Sequence, residues 1–395
     1  MAPETVRGHA PERRELERHA PDRQPPAGAQ GERWAAIDIG TNSVRLLVAE
    51  WAGDRVVPLV RDLRLTRLGR GVDRRRRLDP AAVERTLAVV GEFAARARAA
   101  GARDVVVAGT SALRDAQDRD EFCRRVLAAH GLPVAVLSGA GEAALSFMGA
   151  VRGLAGGPAG GAAGPSELAG PAAAGGEADE SGRVWVVDVG GGSTEVVRGT
   201  AAGQVTVRAS ADAGAVRMTE LCVQSDPIAP GDWERLADAV RQALAPLWAR
   251  VAGRGPGHKP GEASPAKTGF DPAAGHMLIG VGGTVTTLAA LDQHLDPYDP
   301  DKVHGYRLRR AAVAEWLGRM RASTVAERRT WPGLQPQRAD IILAGTAIVD
   351  AVMAHLGAEE LTVSEADLLD GLIVWAARHG RDPAYLVDPA RERGI

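Results

Sequence analysis

Cysteine is almost absent: Cys123 and Cys222 are the only two in 395 residues. They lie far apart in apolar, helix-like surroundings and match no metal-ligand spacing, so a reduced interior is the expected setting. Lysine is nearly as scarce, found only at positions 259, 267 and 302 although Lys and Arg together number 48. With so much Ala, Gly and Pro beside the Arg, this imbalance points to the codon bias of a GC-rich genome rather than to function. No stretch of about 18 apolar residues occurs, which excludes a spanning helix. Residues 1–31 are rich in Pro, Arg, Glu and His without an apolar core, so they read as a disordered tail, neither secretory signal nor membrane span. Net charge is also lacking, at −2, which gives no case for nucleic acid as a partner. The expectation is a cytoplasmic protein, with homodimerisation left open.

What is present is ordinary globular material, 45% hydrophobic and 25% charged, in a chain long enough for two domains that each bury a core. Apolar runs at Trp34–Ile37, Val44–Ala49 and Val56–Arg61, separated by glycine turns, predict a three-stranded meander. Asp79 caps a predicted helix with Pro80 in its first turn and Val83, Leu87, Val90 and Phe93 on one face. A buried strand at Val105–Ala108, a turn over 109–114, a helix from about Asp118 to Ala129 and a strand at Pro133–Leu137 follow. A helix then runs from Gly139 to Val151. The basic run Arg74–Arg77 reads as solvated loop charge. Residues 152–182 and 253–275, dominated by Gly, Ala and Pro, read as disordered insertions without a chemical role.

From Arg183 the order repeats. Strands are predicted at Val184–Val187, Ser193–Arg198 and Gln204–Ala209, helices at about Ala215–Cys222 and Trp233–Val251, and a buried strand at Met277–Val281. Gly282-Gly283-Thr284 opens a helix to His294. Helical patterns fill 309–322 and 337–356, Leu361–Val363 is a last strand, and Ser364 is the expected cap of a closing helix, with Glu365 and Asp367 in its first turn.

One stretch concentrates chemistry. Asp188-Val-Gly-Gly-Gly-Ser-Thr-Glu195 follows a buried strand. Its three glycines allow a tight turn whose N–H groups can face an anion. Asp188 and Glu195 flank them, hard oxygen donors suited to Mg²⁺. Asp38-Ile-Gly40-Thr-Asn-Ser43-Val-Arg45 shares the D-x-G-x-x-S pattern in register, so the chain reads as a duplicated β-β-β-α-β-α unit. Two such units facing each other bring two phosphate turns and two aspartates to one cleft, the layout of the actin-like (ribonuclease H-like, ASKHA) fold. The fold class expected is therefore α/β, two actin-like domains around an interdomain cleft. At the last matched position the repeats differ: Arg45 offers positive charge to phosphate, Glu195 negative charge to a metal.

The motifs I-D-I-G-T-N-S-V-R-L-L-V, A-G-T-S-A-L-R-D-A, S-G-x-x-E at Ser138–Glu142 and V-D-V-G-G-G-S-T-E resemble those of the exopolyphosphatase/guanosine pentaphosphate phosphohydrolase (Ppx/GppA) family. So do G-V-G-G-T-V-T-T-L, Q-R-A-D-I-I-L-A-G and L-T-V-S-E-A-D-L-L-D-G, in family order from Trp34 to about Ala377. The resemblance implies domain I at 33–139 plus 365–380 and domain II at 140–364. It implies Asp188 and Glu195, with Asp38, as divalent-metal ligands. Phosphates would be held by Gly40, Thr41, Asn42, Ser43 and Arg45, by Arg114, and by Gly190, Gly191, Gly192 and Ser193. The catalytic carboxylate implied is Glu142, since water attacking a phosphoryl group must be oriented and deprotonated. Where the family commonly has S-G-x-E-E-A-R, this chain has Ser138-Gly-Ala-Gly-Glu142-Ala-Ala144, without the first Glu and the Arg.

The expected activity is Mg²⁺-dependent hydrolysis of the terminal phosphoanhydride of inorganic polyphosphate. The alternative is removal of the 5′-terminal phosphate of guanosine pentaphosphate. Because the chain ends at Ile395, soon after the closing helix, a short form without the extra C-terminal helical domain of longer members is expected. More distant readings are an actin-like small-molecule kinase and a non-catalytic sensor of the alarmone or of polyphosphate. Neither Gly282–Thr284 nor His304 is assigned a catalytic role.

Overall fold

The structure is a computed structural model that describes residues 31–53, 55–155, 184–253 and 269–380. The expected tail and most of the two Gly/Ala/Pro insertions lie outside the described residues.

The first half builds β1 (Glu32–Ile39), β2 (Ser43–Ala52) and β3 (Arg55–Leu65), then α1 (Val72–Arg75) and α2 (Pro80–Ala99). It continues with β4 (Asp104–Gly109), α3 (Ser111–Asp115), α4 (Arg119–His130), β5 (Val134–Val136) and α5 (Gly139–Ala155). The second half starts with β6 (Val184–Val189), β7 (Thr194–Gly199) and β8 (Val205–Ala211), followed by α6 (Ala215–Cys222) and α7 (Pro230–Val251). Then come β9 (Met277–Val281), α8 (Gly282–Asp292), α9 (Pro300–Val303), β10 (Arg307–Arg309), α10 (Arg310–Ala322), α11 (Val325–Arg328), α12 (Ile342–Leu356), β11 (Glu360–Val363) and α13 (Leu368–His379).

The duplication is visible in the sheets. The first has the order β3-β2-β1-β4-β5 and the second β8-β7-β6-β9-β11, with β10 added at its edge. In each, the opening strand is antiparallel to the next and parallel to the fourth. That places both opening strands, and the turns that follow them, at the centre of a sheet, where α/β folds carry ligand sites.

Two helices join the halves. Leu145 and Met148 on one face of α5 pack with Trp34, Leu47 and α13. On the opposite face Ala143, Phe147, Val151 and Leu154 pack with Val184, Val186 and Val197 of the second sheet. A helix apolar on two faces is thus shared by both lobes. α5 crosses α13 at glycines: a Cβ on Gly149 would lie 1.9 Å from the Asp367 carbonyl oxygen, and one on Gly371 2.0 Å from that of Leu145.

Several local readings change. The 109–114 segment is not all turn, since α3 begins at Ser111. α5 continues to Ala155, so residues 152–155 are helical. In the second linker Pro272–Ala274 form a 3-10 turn, and Phe270 packs edge-on against Trp185 at 5.8 Å. The closing helix is capped by Asp367, which accepts from Leu369 N–H while Asp370 accepts from Asp367 N–H. Ser364 instead exchanges bonds with the backbone of Ala366, because the chain is still leaving β11 there.

Candidate active site

The two D-x-G-x-x-S turns close in the same way. Gly40 N–H donates to Ser43 O at 2.9 Å, and Gly190 N–H to Ser193 O at 3.0 Å. The strand register then sets Asp38 opposite Arg45 and Asp188 opposite Glu195. Cross-strand neighbours share one face of a sheet, so each turn carries its charged pair beside it. The turns meet: a Cβ on Gly192 would fall 2.4 Å from Ser111 Oγ and 2.7 Å from Thr41 Oγ1. Only glycine allows so close an approach of backbone to the opposite lobe.

Between them lies a cavity of about 350 Å³. It is lined by Gly40–Ser43, Asp38 and Arg45 of the first lobe, by Asp188 and Gly190–Ser193 of the second, and by Glu142 from the start of α5. Arg114 and Glu195 stand behind that lining. Arg114 Nη1 donates to Glu142 Oε2 at 3.1 Å and to Leu137 O at 3.0 Å. Glu195 accepts from Ser210 Oγ at 2.7 Å and is 1% exposed.

Arg45 does not point freely at the cavity. Its Nε and Nη2 hold Asp38 Oδ2 at 2.9 and 2.8 Å, and its Nη1 bonds Asp367. Asp367, read from sequence only as a first-turn acid, is therefore a site residue. Ser146, one turn after Glu142 on α5, was also missed; its hydroxyl donates to Asp188 Oδ2 at 2.8 Å. The i, i+4 spacing to Glu142 was the available signal. Gly282–Thr284, at the N-terminus of α8, line the cavity as well. Gly282 has φ +85°, and a Cβ there would lie 2.6 Å from Asp188 Oδ1. Farther along are Arg338, Tyr298 and Pro297. His304 accepts from Glu365 N–H at 3.2 Å, a structural bond.

The acids of the site are held in unfavourable company. Burial pushes Glu142 up to about 7, with Asp188 and Asp38 adding to the rise and Arg114 opposing it. Burial and the Asp367 charge bring Asp188 to about 6. Glu195 is raised well above the usual carboxylate range, by burial first and then by Glu142 and Asp188. Asp38 is raised by burial against the pull of Arg45. Clusters of desolvated, mutually repelling carboxylates mark functional sites.

These residues fit a divalent cation. Among the described residues, Asp38 Oδ1 and Glu195 Oε2 are buried oxygens without a hydrogen-bond partner. Also among the described residues, no three His, Cys, Asp or Glu side chains form a ready-made cage. Two or so carboxylates, with water and phosphate oxygens completing the shell, is the way Mg²⁺ is held.

Two facing actin-like lobes, each with a glycine turn, thus meet at one cavity, with a buried carboxylate on the helix between them. A model of the Ppx/GppA phosphatase family matches residues 47–160 and 169–379. The chain belongs to that family and is a hydrolase. Exopolyphosphatase 2 of Mycobacterium tuberculosis is 35% identical over 354 residues, covering 86% of this chain and 97% of that protein. The crystal structure of the Aquifex aeolicus Ppx/GppA family member superposes with a TM-score of 0.65 at 27% identity, covering 89% of this chain and 99% of that one. An exopolyphosphatase structure from Cytophaga hutchinsonii shares the fold, with a TM-score of 0.70 at 23% identity over 89% of this chain and 99% of that one.

Proposed function

We propose that this protein is an exopolyphosphatase that hydrolyses the terminal phosphoanhydride of inorganic polyphosphate in a divalent-cation-dependent reaction. The observation that carries the reading is Glu142, buried at the start of α5 and lining the same cavity as Asp188 and the two glycine turns. Backbone N–H groups of the turns, with the hydroxyls of Thr41 and Ser43, suit the oxygens of a terminal phosphoryl group. The Glu142 carboxylate orients a water and takes its proton as the new P–O bond forms. The bridging P–O bond breaks, orthophosphate leaves, and the chain is one phosphate shorter. Arg114 limits the rise that burial imposes on the Glu142 pKa and so favours the ionised form that a base needs. In this reading Arg45 positions Asp38 and Asp367 rather than contacting phosphate. Asp188 and Glu195, with Asp38, would hold a Mg²⁺, which would supply charge neutralisation on the phosphate oxygens.

A second reading has a specific support. The lining of the cavity also includes Tyr298, Pro297, Ile341 and Leu368, with Arg338, and inorganic polyphosphate has no apolar part to place against them. Guanosine pentaphosphate does.

Phosphate release from tripolyphosphate, long-chain polyphosphate, guanosine pentaphosphate and ATP, each with and without Mg²⁺, tests the proposal. Polyphosphate turnover exceeding that of the nucleotides is the expected result. Exclusive release from guanosine pentaphosphate would favour the second reading. Binding without release from any of the four would contradict both.

A further inference from the structure

α6 lies directly behind the second phosphate turn. Ala215 N–H donates to Gly190 O at 3.0 Å, Val216 N–H to Gly191 O at 2.8 Å, and Arg217 Nε to Gly192 O at 2.7 Å. Three successive carbonyls of the turn are thus drawn to one side. In a trans peptide the N–H points opposite to the C=O of the same unit. The N–H groups of Gly191, Gly192 and Ser193 are therefore turned away from α6, towards the cavity that these residues line. Two of the three carbonyls are held by the helix backbone and the third by a side chain.

That side chain crosses to the other lobe. Arg217 Nη1 bonds Asp73, and Nη2 bonds Asp115 and, at 3.2 Å, Ser111 Oγ. The guanidinium is only 11% exposed, and its two carboxylate partners are 20% and 18% exposed. One turn later on the same helix, Glu220 accepts from Gly71 N–H at 2.9 Å. Every nitrogen of Arg217 is thus used, one on the phosphate turn of its own lobe and two on the first lobe. A guanidinium fork is the group that can fix such a three-way arrangement, and a lysine ammonium is not.

We propose that Arg217 is a positioning residue that couples closure of the two lobes to the geometry of the second phosphate turn. With the lobes together, Asp73 and Asp115 hold the guanidinium where Nε fixes the Gly192 carbonyl, so that the Ser193 N–H faces the phosphate. With the lobes apart, both carboxylates are gone. Water then reaches the guanidinium, nothing on the first lobe holds Nε at the Gly192 carbonyl, and the turn loosens. Tight phosphate binding is then confined to the closed state, and opening releases the product. The inference rests on the reading of the turn as a phosphate cradle.

The main variant leaves Arg217 and its contacts with the turn in place. In full-length protein, Asp73→Asn with Asp115→Asn cuts the connection from the first lobe. Because apparent affinity falls with the population of the competent state, KM for tripolyphosphate should rise about tenfold while kcat stays within about threefold. Arg217→Lys should behave like the double variant. Lobe separation is read by electron–electron resonance between spin labels at Asp120→Cys and Arg241→Cys, with Cys123→Ser and Cys222→Ala, in a Glu142→Gln background. The double variant should show a longer population that tripolyphosphate with Mg²⁺ removes. A KM within about twofold of wild type, or a distance distribution identical to that of the protein with both aspartates intact, overturns the proposal. Should wild type release no phosphate from any substrate, the functional reading fails while the distance measurement still decides the coupling.

Discussion

Arg114 and Glu142 are bonded to each other, Nη1 to Oε2 at 3.1 Å, although they come from different segments and were read from sequence as serving different partners. The contact explains how a carboxylate buried in an acidic cavity remains available as a base. Removing the guanidinium leaves burial, Asp188 and Asp38 unopposed, and all three raise the Glu142 pKa. The base works ionised, so Arg114→Ala should move the acid limb of the kcat/KM profile to higher pH, by about one pH unit or more. An acid limb at the wild-type position would show that Arg114 does not tune Glu142.

The contribution of Glu142 to the stability of the metal-free protein should carry the sign of a buried acid, because burial outweighs its pair with Arg114. Glu142 titrates near 7 in the folded chain against 4.5 for the unfolded one, so the folded state binds the extra proton between those values. Stability contributed by this group is therefore full below about pH 4.5 and lost as pH rises through about 7. Glu142→Gln mimics the protonated form. Without metal it should exceed wild type by on the order of 3 kcal/mol at pH 8, with the difference vanishing towards pH 4.5. Urea unfolding of both proteins across this range checks the sign.

The carboxylates beside the second turn should control the cation. Asp188→Asn or Glu195→Gln should lower phosphate release at fixed Mg²⁺ by about a hundredfold or more, partly recovered at higher Mg²⁺. Chelation should abolish wild-type turnover. Activity that survives chelation would remove the cation from the proposal.

The crossing of α5 and α13 tolerates no side chain. Gly149→Ala or Gly371→Ala would set a methyl about 2 Å from a backbone carbonyl and should cost about 3 kcal/mol or more in urea unfolding. Gly318, on the exposed side of α10 with nothing near its Cβ position, is the control. There Ala should stabilise by about 0.5–1 kcal/mol.

The parts of the site that could be read in the sequence are those built locally. Each D-x-G-x-x-S turn joins two adjacent strands, so eight residues specify both the turn bond and the charged pair across it, and the repetition exposed the duplicated sheet. Glu142 was reached through its motif. Asp367 and Arg217 were not, because nothing within their own segments places them at the site. Asp367 reaches Arg45 only once α13 has packed back against β1 and β2, and Arg217 meets Asp73 and Asp115 only when the lobes face each other. Arg45 shows the converse. Its motif suggests a phosphate contact, and the fold brings Asp367 to its guanidinium beside Asp38, which the motif does not show.

The most direct test of the central claim is a paired measurement on Glu142→Gln: tripolyphosphate binding by calorimetry with Mg²⁺, and phosphate release under the same conditions. The substitution keeps the shape of the side chain and removes the proton acceptor. Binding close to that of wild type with release reduced by at least about a thousandfold is the expected result. Turnover near the wild-type rate would contradict the assignment of Glu142 as the base.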